Sequence, residues 1–403
     1  MLEWATFAIE TRKKMPRASI LNSLVAFILL TVFAGFSVAQ KPLTLPPPNI
    51  QATSFILLDA KTNKVLAEEN SDERKAPASL TKIMTGYLVE QEINLGRLGV
   101  EEEVQISVNA WRTGGSKMFI REGTRVTVED LLKGVIIQSG NDASVALAEH
   151  IAGSEFDFAG LMNEQAKALG MNDTNFENPT GLPNDNHYST ATDLAKLTRA
   201  LINDHPQQYE LYSEKRFKYN DIDQPNRNKL LWRDRSVDGV KTGYTQDAGY
   251  CLVASAERDG MRLISVVLGT ASDEARLRES QKLLSFGFRN FETQTLYEAN
   301  SELRAEPVFY GTLETVGLGV VEEVAVTVPR GYYKDIQAEI SVPTQLEAPL
   351  VAGQVVGQLK LVLADEVIYE GEVVTLVDVP EAGAVSRLGD FVFLLFESMF
   401  GDD

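Results

Sequence analysis

Apolar and polar positions along this chain change period several times, and each change marks a new element. Residues 52–60 and 64–68 read as two strands joined at the polar Lys61 to Asn63, which predicts a hairpin. The spacing then lengthens: Leu80, Ile83, Met84 and Tyr87 share one face of a helix that opens after Pro77, where a polar stretch from Glu73 to Lys75 closes. Alternation from Val104 to Ala110 is strand-like. Thr127 and Asp130 stand in capping-box spacing ahead of Leu131, Leu132, Val135 and Ile136, so a helix begins there. Ser139 to Asn141 then form a tight connection before a helical segment from Ala143 to Ala152. Helical patterns dominate to about Asp204, and strand patterns return near Lys241, with runs from Tyr250 to Ser255 and Arg262 to Leu268. From about Ala299, Val324, Val326 and Val328 alternate, as do Leu359, Leu361 and Leu363, which predicts a small antiparallel β domain.

Both ends of the chain carry further patterns. Arg12, Lys13, Lys14 and Arg17 precede an uncharged run from Ala18 to Gln40 that ends in the small residues Ser37, Val38 and Ala39. That order reads as a cleaved secretory signal, with an uncleaved bilayer span as the alternative. Pro42 to Pro48 reads as an extended linker. At the other end, a helix from Ala384 to Phe400 gathers Ser386, Asp390 and Glu397 in a narrow arc, with Leu388, Phe391, Val392, Leu395, Phe396, Met399 and Phe400 around the rest. Such a segment is too short and too charged to span a bilayer, and it predicts a helix lying in a membrane interface. The competing reading is a helix docked on the β domain.

Composition narrows the class. A chain of 403 residues that is 44% hydrophobic can build a full core and about two domains. A net charge of −19 argues against nucleic acid as a partner. Cys251, the single cysteine, excludes an internal disulfide and sits in an apolar strand-like run as a small buried side chain. His150, His187 and His205 are scattered without metal-ligand spacing, so neither a zinc site nor a Ser, His, Asp triad is indicated, and no metal or cofactor is expected. His187, in the polar loop Asn184 to Ser189, reads as a surface residue.

The chemistry lies in three short motifs. Ser79, Leu80, Thr81 and Lys82 set a hydroxyl and an amine three residues apart at a helix start, where the amine can reach the hydroxyl oxygen. A serine needs a base to become a nucleophile, and a lysine is one when burial or neighbouring cations lower its pKa. Read alone, Ser79 can equally be a helix cap with Lys82 in solvent. Ser139, Gly140 and Asn141 place polar side chains between helices, although Ser107, Val108 and Asn109 spell the same pattern in the strand-like run. Lys241, Thr242 and Gly243 offer a cation for a carboxylate, and a strand edge on which a ligand's backbone can lie.

The ordered set SxxK, SxN and KTG resembles that of penicillin-binding proteins and serine β-lactamases. The segments 77–85, 134–143 (GVIIQSGNDA), 237–243 (VDGVKTG), 254–268 and 285–293 are similar to the low-molecular-mass D-alanyl-D-alanine carboxypeptidases, and 306–311, 318–320 and 329–331 to their carboxy-terminal domain. The resemblance implies an α/β (α+β) DD-peptidase-like transpeptidase domain, followed by a small all-β antiparallel domain and a C-terminal amphipathic helix. It divides the chain into a signal peptide (1–39), a linker (40–51), a catalytic domain (52–297), a β domain (298–382) and an anchoring helix (383–403).

The resemblance also implies roles. Ser79 is the expected nucleophile and Lys82 the acylation base. Ser139 relays protons, Asn141 orients substrate, and Lys241, Thr242 and Gly243 bind its terminal carboxylate together with Arg276. Tyr244 stands where some relatives carry histidine, and its oxyanion contribution would come from the backbone N–H. Expected partners are peptidoglycan stem peptides ending in D-Ala-D-Ala, β-lactams as covalent inhibitors, and the periplasmic face of the inner membrane. Two rivals stand beside this reading: a serine β-lactamase, although residues 172–183 lack the Glu-x-x-Leu-Asn pattern of a class A deacylation loop, and a non-catalytic penicillin-binding sensor or scaffold.

Overall fold

The computed structural model describes residues 46–400, so the expected signal segment and the first linker residues lie outside the described residues. The predicted hairpin forms from β1 (Ser54–Asp59) and β2 (Val65–Glu69), with Asn63 in the left-handed region at the turn. All six residues of β1 are buried, because β9 pairs along its other edge and helices cover both faces. A turn of 3-10 helix, Ala78–Thr81, feeds α1 (Lys82–Asn94). The sequence pattern predicts one apolar face for this helix. Instead Lys82 to Glu90 are buried on every side, since α4, α5, α6 and β7 pack around it.

Two short strands, β3 (Glu103–Gln105) and β4 (Arg125–Thr127), flank α2 (Val108–Arg112). The strand-like run from Val104 therefore ends early: Ser107 accepts a hydrogen bond from Ala110 N at 2.9 Å and starts a helix. Thr127 accepts from Asp130 N at 3.2 Å and opens α3 (Val128–Lys133), which widens into a π-helical turn at Gly134–Gln138. Then follow α4 (Asn141–Ala152), α5 (Glu155–Ala168), α6 (Ala191–Asp204) and α7 (Pro206–Tyr209). A hairpin of β5 (Arg216–Tyr219) and β6 (Ile222–Pro225) interrupts the region read as lacking strands. Its two-residue turn, Asn220 and Asp221, has both φ angles positive, a local signal for a tight hairpin.

After α8 (Leu230–Arg233) come β7 (Val237–Thr245), β8 (Gly249–Arg258), β9 (Met261–Thr270) and α9 (Asp273–Asn290). The main sheet is antiparallel in the order β2-β1-β9-β8-β7, so the first strands of the domain close against its last, as the expected α/β architecture requires. Leu277 and Leu284 of α9 pack on one face with Leu57 and Leu263, while α1 and α4 share a core with Ile56, Val253 and Ile264 on the other. The first two sequence motifs lie on the side covered by α1 and α4.

The β region that follows is antiparallel except where Val308 and Phe309 pair in parallel with Leu346 and Glu347. Strands β10 (Phe291–Tyr297), β11 (Glu302–Phe309), β12 (Thr315–Gly319), β13 (Val324–Pro329), β14 (Gln337–Ser341), β15 (Leu346–Glu347), β16 (Val355–Leu363) and β17 (Glu366–Thr375) enclose a core that includes Val324, Val326, Val328, Leu359, Leu361 and Leu363. The alternating positions face inward. The described residues end in α10 (Ala384–Phe400). Among the described residues, no helix is long and apolar enough to cross a membrane.

Candidate active site

The 3-10 turn leaves Ser79 half-buried, and α1 carries Lys82 beneath it. Lys82 is 1% exposed. Its Nζ lies 3.2 Å from Ser79 Oγ and 2.7 Å from Asn141 Oδ1, and it also donates to the Thr180 carbonyl. Burial pushes the Lys82 pKa down to about 7; the charge of Arg227 assists and that of Asp142 opposes. Arg227 is itself open to solvent, which screens its field, so burial is the leading cause. A large share of Lys82 is therefore a free amine at neutral pH, able to take a proton from the hydroxyl beside it.

The second motif is delivered by the π-helical turn. Ser139 adopts a left-handed φ of 64°, which turns the chain sharply, and its Oγ is buried without a protein partner. Asn141 is oriented on three sides: its N–H donates to Ser116 O at 2.7 Å, its Nδ2 to Gly114 O at 2.7 Å, and its Oδ1 accepts from Lys82. The adjacent Asp142 carboxylate accepts from the backbone N–H groups of Met118, Phe119 and Ile120 at 3.0, 2.9 and 3.3 Å and so pins the loop that covers this motif. Of the two SxN patterns, the structure brings Ser139 and Asn141 to Lys82, whereas Ser107 caps α2.

The third motif lies on β7, whose Gly243 packs against the nucleophile turn: a Cβ there would meet Pro77 O at 3.1 Å. Lys241 and Thr242 are both buried. Lys241 Nζ reaches the Thr242 carbonyl at 3.2 Å, and burial, then Lys82, Arg227 and Arg276, hold its pKa well below the usual lysine range. Arg276, on the first turns of α9, donates through Nη1 to Gly243 O at 2.9 Å and Cys251 O at 3.3 Å, and through Nη2 to Asp273. Its Nε is buried and unpartnered. Arg276 thus supports the KTG strand from behind as well as adding positive charge. Lys82, Arg227 and Arg276 thus all act on Lys241, and a cluster of four cations favours an anionic group beside it.

Three participants carry no local sequence signal. Arg227 follows the β5–β6 hairpin and donates to Gln138 O at 2.9 Å. The Thr180 carbonyl comes from the loop after α5. His187, read from sequence as a surface residue, is buried and lies 2.9 Å from Thr81 Oγ1, because the loop folds back under the nucleophile turn. Beside that turn opens a cleft of about 470 Å³, lined by Ala78, Gly181, Leu182, His187, Tyr188 and Thr245 among others. A serine hydroxyl beside a buried amine of lowered pKa, with further cations near it, is an arrangement suited to acyl transfer on a peptide bearing a free carboxylate.

Comparisons with known proteins agree. Residues 41–272 match the family described as D-alanyl-D-alanine carboxypeptidase, and residues 291–381 match the penicillin-binding protein 5, C-terminal domain. The chain is 44% identical over 395 residues to D-alanyl-D-alanine carboxypeptidase DacC of Escherichia coli (strain K12), covering 95% of this chain and 98% of that protein. It is likewise 44% identical over 362 residues to DacA of the same organism, covering 88% of this chain and 90% of that protein. The crystal structure of penicillin binding protein 5 from Haemophilus influenzae superposes with a TM-score of 0.80 at 42% identity, covering 84% of this chain and 100% of that one.

Proposed function

The chain belongs to the D-alanyl-D-alanine carboxypeptidase family, and on that premise we propose that Ser79 removes the terminal D-alanine from stem peptides ending in D-Ala-D-Ala through an acyl-enzyme. Ser79 Oγ attacks the carbonyl carbon of the penultimate D-alanine while Lys82 takes its proton. The Oγ–carbon bond forms, the C–N bond breaks, and the proton passes to the departing amine of D-alanine by way of Ser139. Water then cleaves the ester, freeing the shortened peptide and returning the proton to Ser79. Lys241, Thr242 and Arg276 hold the terminal carboxylate, and Asn141 orients the peptide. The mechanism needs no metal or cofactor, and a β-lactam enters by the same attack on its strained amide.

The observation that carries this reading is the 3.2 Å approach of Lys82 Nζ to Ser79 Oγ by an amine whose pKa lies near 7. Mass-spectrometric detection of free D-alanine from a pentapeptide tests it. Release of D-alanine that disappears in Ser79→Ala is expected. Rapid penicillin turnover without D-alanine release would point to a β-lactamase, and labelling by penicillin without either turnover would point to a sensor.

The site of action is part of the same proposal. Residues 1–39 export the chain, and α10 holds it peripherally on the outer face of the inner membrane. Support for the anchor comes from how α10 sits: Asp390, on its polar side, accepts a hydrogen bond from Tyr310 N at 2.7 Å, while Val385, Leu388 and Phe391 are exposed. A helix docked by its apolar side would have the reverse arrangement. Lipid is the occupant whose chemistry matches an exposed apolar face of Val385, Leu388 and Phe391.

A further inference from the structure

A buried histidine outside the three motifs connects two segments that both touch Lys82. His187 Nδ1 lies 3.4 Å from Glu177 N and 3.4 Å from Asn178 Nδ2. Both are donors, so Nδ1 accepts and Nε2 carries the proton. Nε2 therefore donates to Thr81 Oγ1, at 2.9 Å. The neutral ring that this arrangement needs is favoured by burial, with the charge of Lys82 second, which together bring the His187 pKa down to about 4.

Asn178 passes the constraint on. With Nδ2 turned towards His187, its Oδ1 accepts from Thr180 N at 3.1 Å, Thr180 Oγ1 at 2.7 Å, Gly181 N at 2.8 Å and Leu182 N at 3.2 Å. The carbonyl of the same Thr180 accepts from Lys82 Nζ. The imidazole also lines the open cleft, so it stands as a wall between that cleft and the buried amine. Charged groups around the ring are Lys82 behind it and Arg74, Lys75, Asp185 and Asp247 along the cleft in front.

We propose that His187 is a positioning residue for Lys82: it clamps residues 177–181 onto the turn that carries Ser79, holds the Thr180 carbonyl against the amine, and keeps the amine dry. The inference rests on the reading of Ser79 and Lys82 as nucleophile and base. Truncating the ring joins the cleft to the space around Lys82, admits water, and makes protonation of the amine easier.

The test follows the rate of acylation by a fluorescent penicillin from about pH 5 to 9 in wild type, His187→Ala and His187→Gln, normalised to the fraction of protein that can be acylated, with thermal melting alongside. In His187→Ala, the rising limb of the rate should move to higher pH by about one unit, leaving acylation at pH 7 about fivefold slower. Gln, whose amide can both donate to Thr81 and accept from Asn178, should recover most of that loss. A lower melting temperature with an unmoved limb and an unchanged rate per site would overturn the proposal and leave His187 a packing residue. If Ala does not fold, a Gln variant slowed as much as about fivefold at pH 7, with its limb displaced a full unit, would also overturn it. Labelling that persists in Ser79→Ala would instead overturn the underlying acylation reading.

Discussion

Lys82 Nζ lies 3.2 Å from Ser79 Oγ, one helical turn away, in a position sealed from water. Because the working form of the base is the neutral amine and its pKa is about 7, the sign of the pH effect follows. Below pH 7 the lysine is charged and acylation is slow; above about pH 8 the rate levels off. Lys82→Ala should slow penicillin acylation by roughly 10² to 10⁴-fold and abolish that limb. Arg227→Gln removes a cation that lowers the lysine pKa, so the limb should move to higher pH. A half-unit move means about a two-fold lower rate at pH 7. A flat profile in wild type would assign the proton to another group.

Lys241 gives a second prediction. Its folded-state pKa is held down by burial and by three neighbouring cations, so a substrate carboxylate arriving beside it favours the charged form and raises that pKa. Binding of a free-acid peptide to the Ser79→Ala variant should therefore take up a proton, up to about one per peptide. Calorimetry in buffers of different ionisation heat measures this, and a C-terminal amide should show none. Lys241→Ala should lower kcat/KM for the free acid by about ten- to a hundredfold, as removal of a charge-assisted bond of roughly 1.5–3 kcal/mol implies, and much less for the amide. Arg276→Ala should lose rate on both substrates, because it also braces Gly243. No proton uptake by the Ser79→Ala variant, with Lys241→Ala losing equally on both peptides, would give Lys241 a structural role.

Gly181 gives a third. It has a φ of +78°, and a Cβ there would lie 1.8 Å from Ala78 O, inside the contact between the loop and the nucleophile turn. Gly181→Ala should cost about 2–4 kcal/mol from left-handed strain plus overpacking, seen as a lower Tm, and should slow acylation as the Thr180 carbonyl shifts. Gly160→Ala is the control: on an exposed face of α5 with open space around it, it should raise stability by about 0.5–1 kcal/mol. Equal Tm values for the two variants would refute the packing argument.

The parts of this molecule legible in sequence are those governed by local rules. Period-two alternation marks the inward faces of β13 and β16, the capping spacing at Thr127 marks α3, and the run from Ala384 marks α10. Three motifs read in order already separate Ser79, Lys82, Ser139, Asn141 and Lys241 from the rest of the chain, and the family resemblance adds Arg276. What escaped depends on tertiary return. His187 meets Thr81 across 106 residues, so its polar neighbours in sequence suggest solvent while its neighbours in space bury it. Arg227 reaches the site through a hairpin whose strands are four residues each, too short for periodicity to declare. Ser107 shows the converse: the alternation around it is real, but one side-chain hydrogen bond to Ala110 N redirects the backbone into a helix.

The last prediction concerns α10. Its ties to the β region include the Asp390 to Tyr310 hydrogen bond and an exposed pair between Arg387 and Glu381, these two together worth about 1–2 kcal/mol. Removing the helix should thus cost the fold little. Its outward side is another matter: Val385 is 87%, Leu388 64% and Phe391 54% exposed, and moving such side chains from water into an interface is worth several kcal/mol at roughly 25 cal/mol per Å². Truncation after Gly383 should release the enzyme into the soluble fraction with penicillin labelling and D-alanine release unchanged. Vesicle flotation of the purified full-length and truncated proteins checks the same point without the cell. If the truncated protein still pelleted with membranes, an uncleaved segment within residues 1–39 would be the anchor; if it lost penicillin labelling, α10 would be needed for folding, and the two weak ties above would have been underestimated.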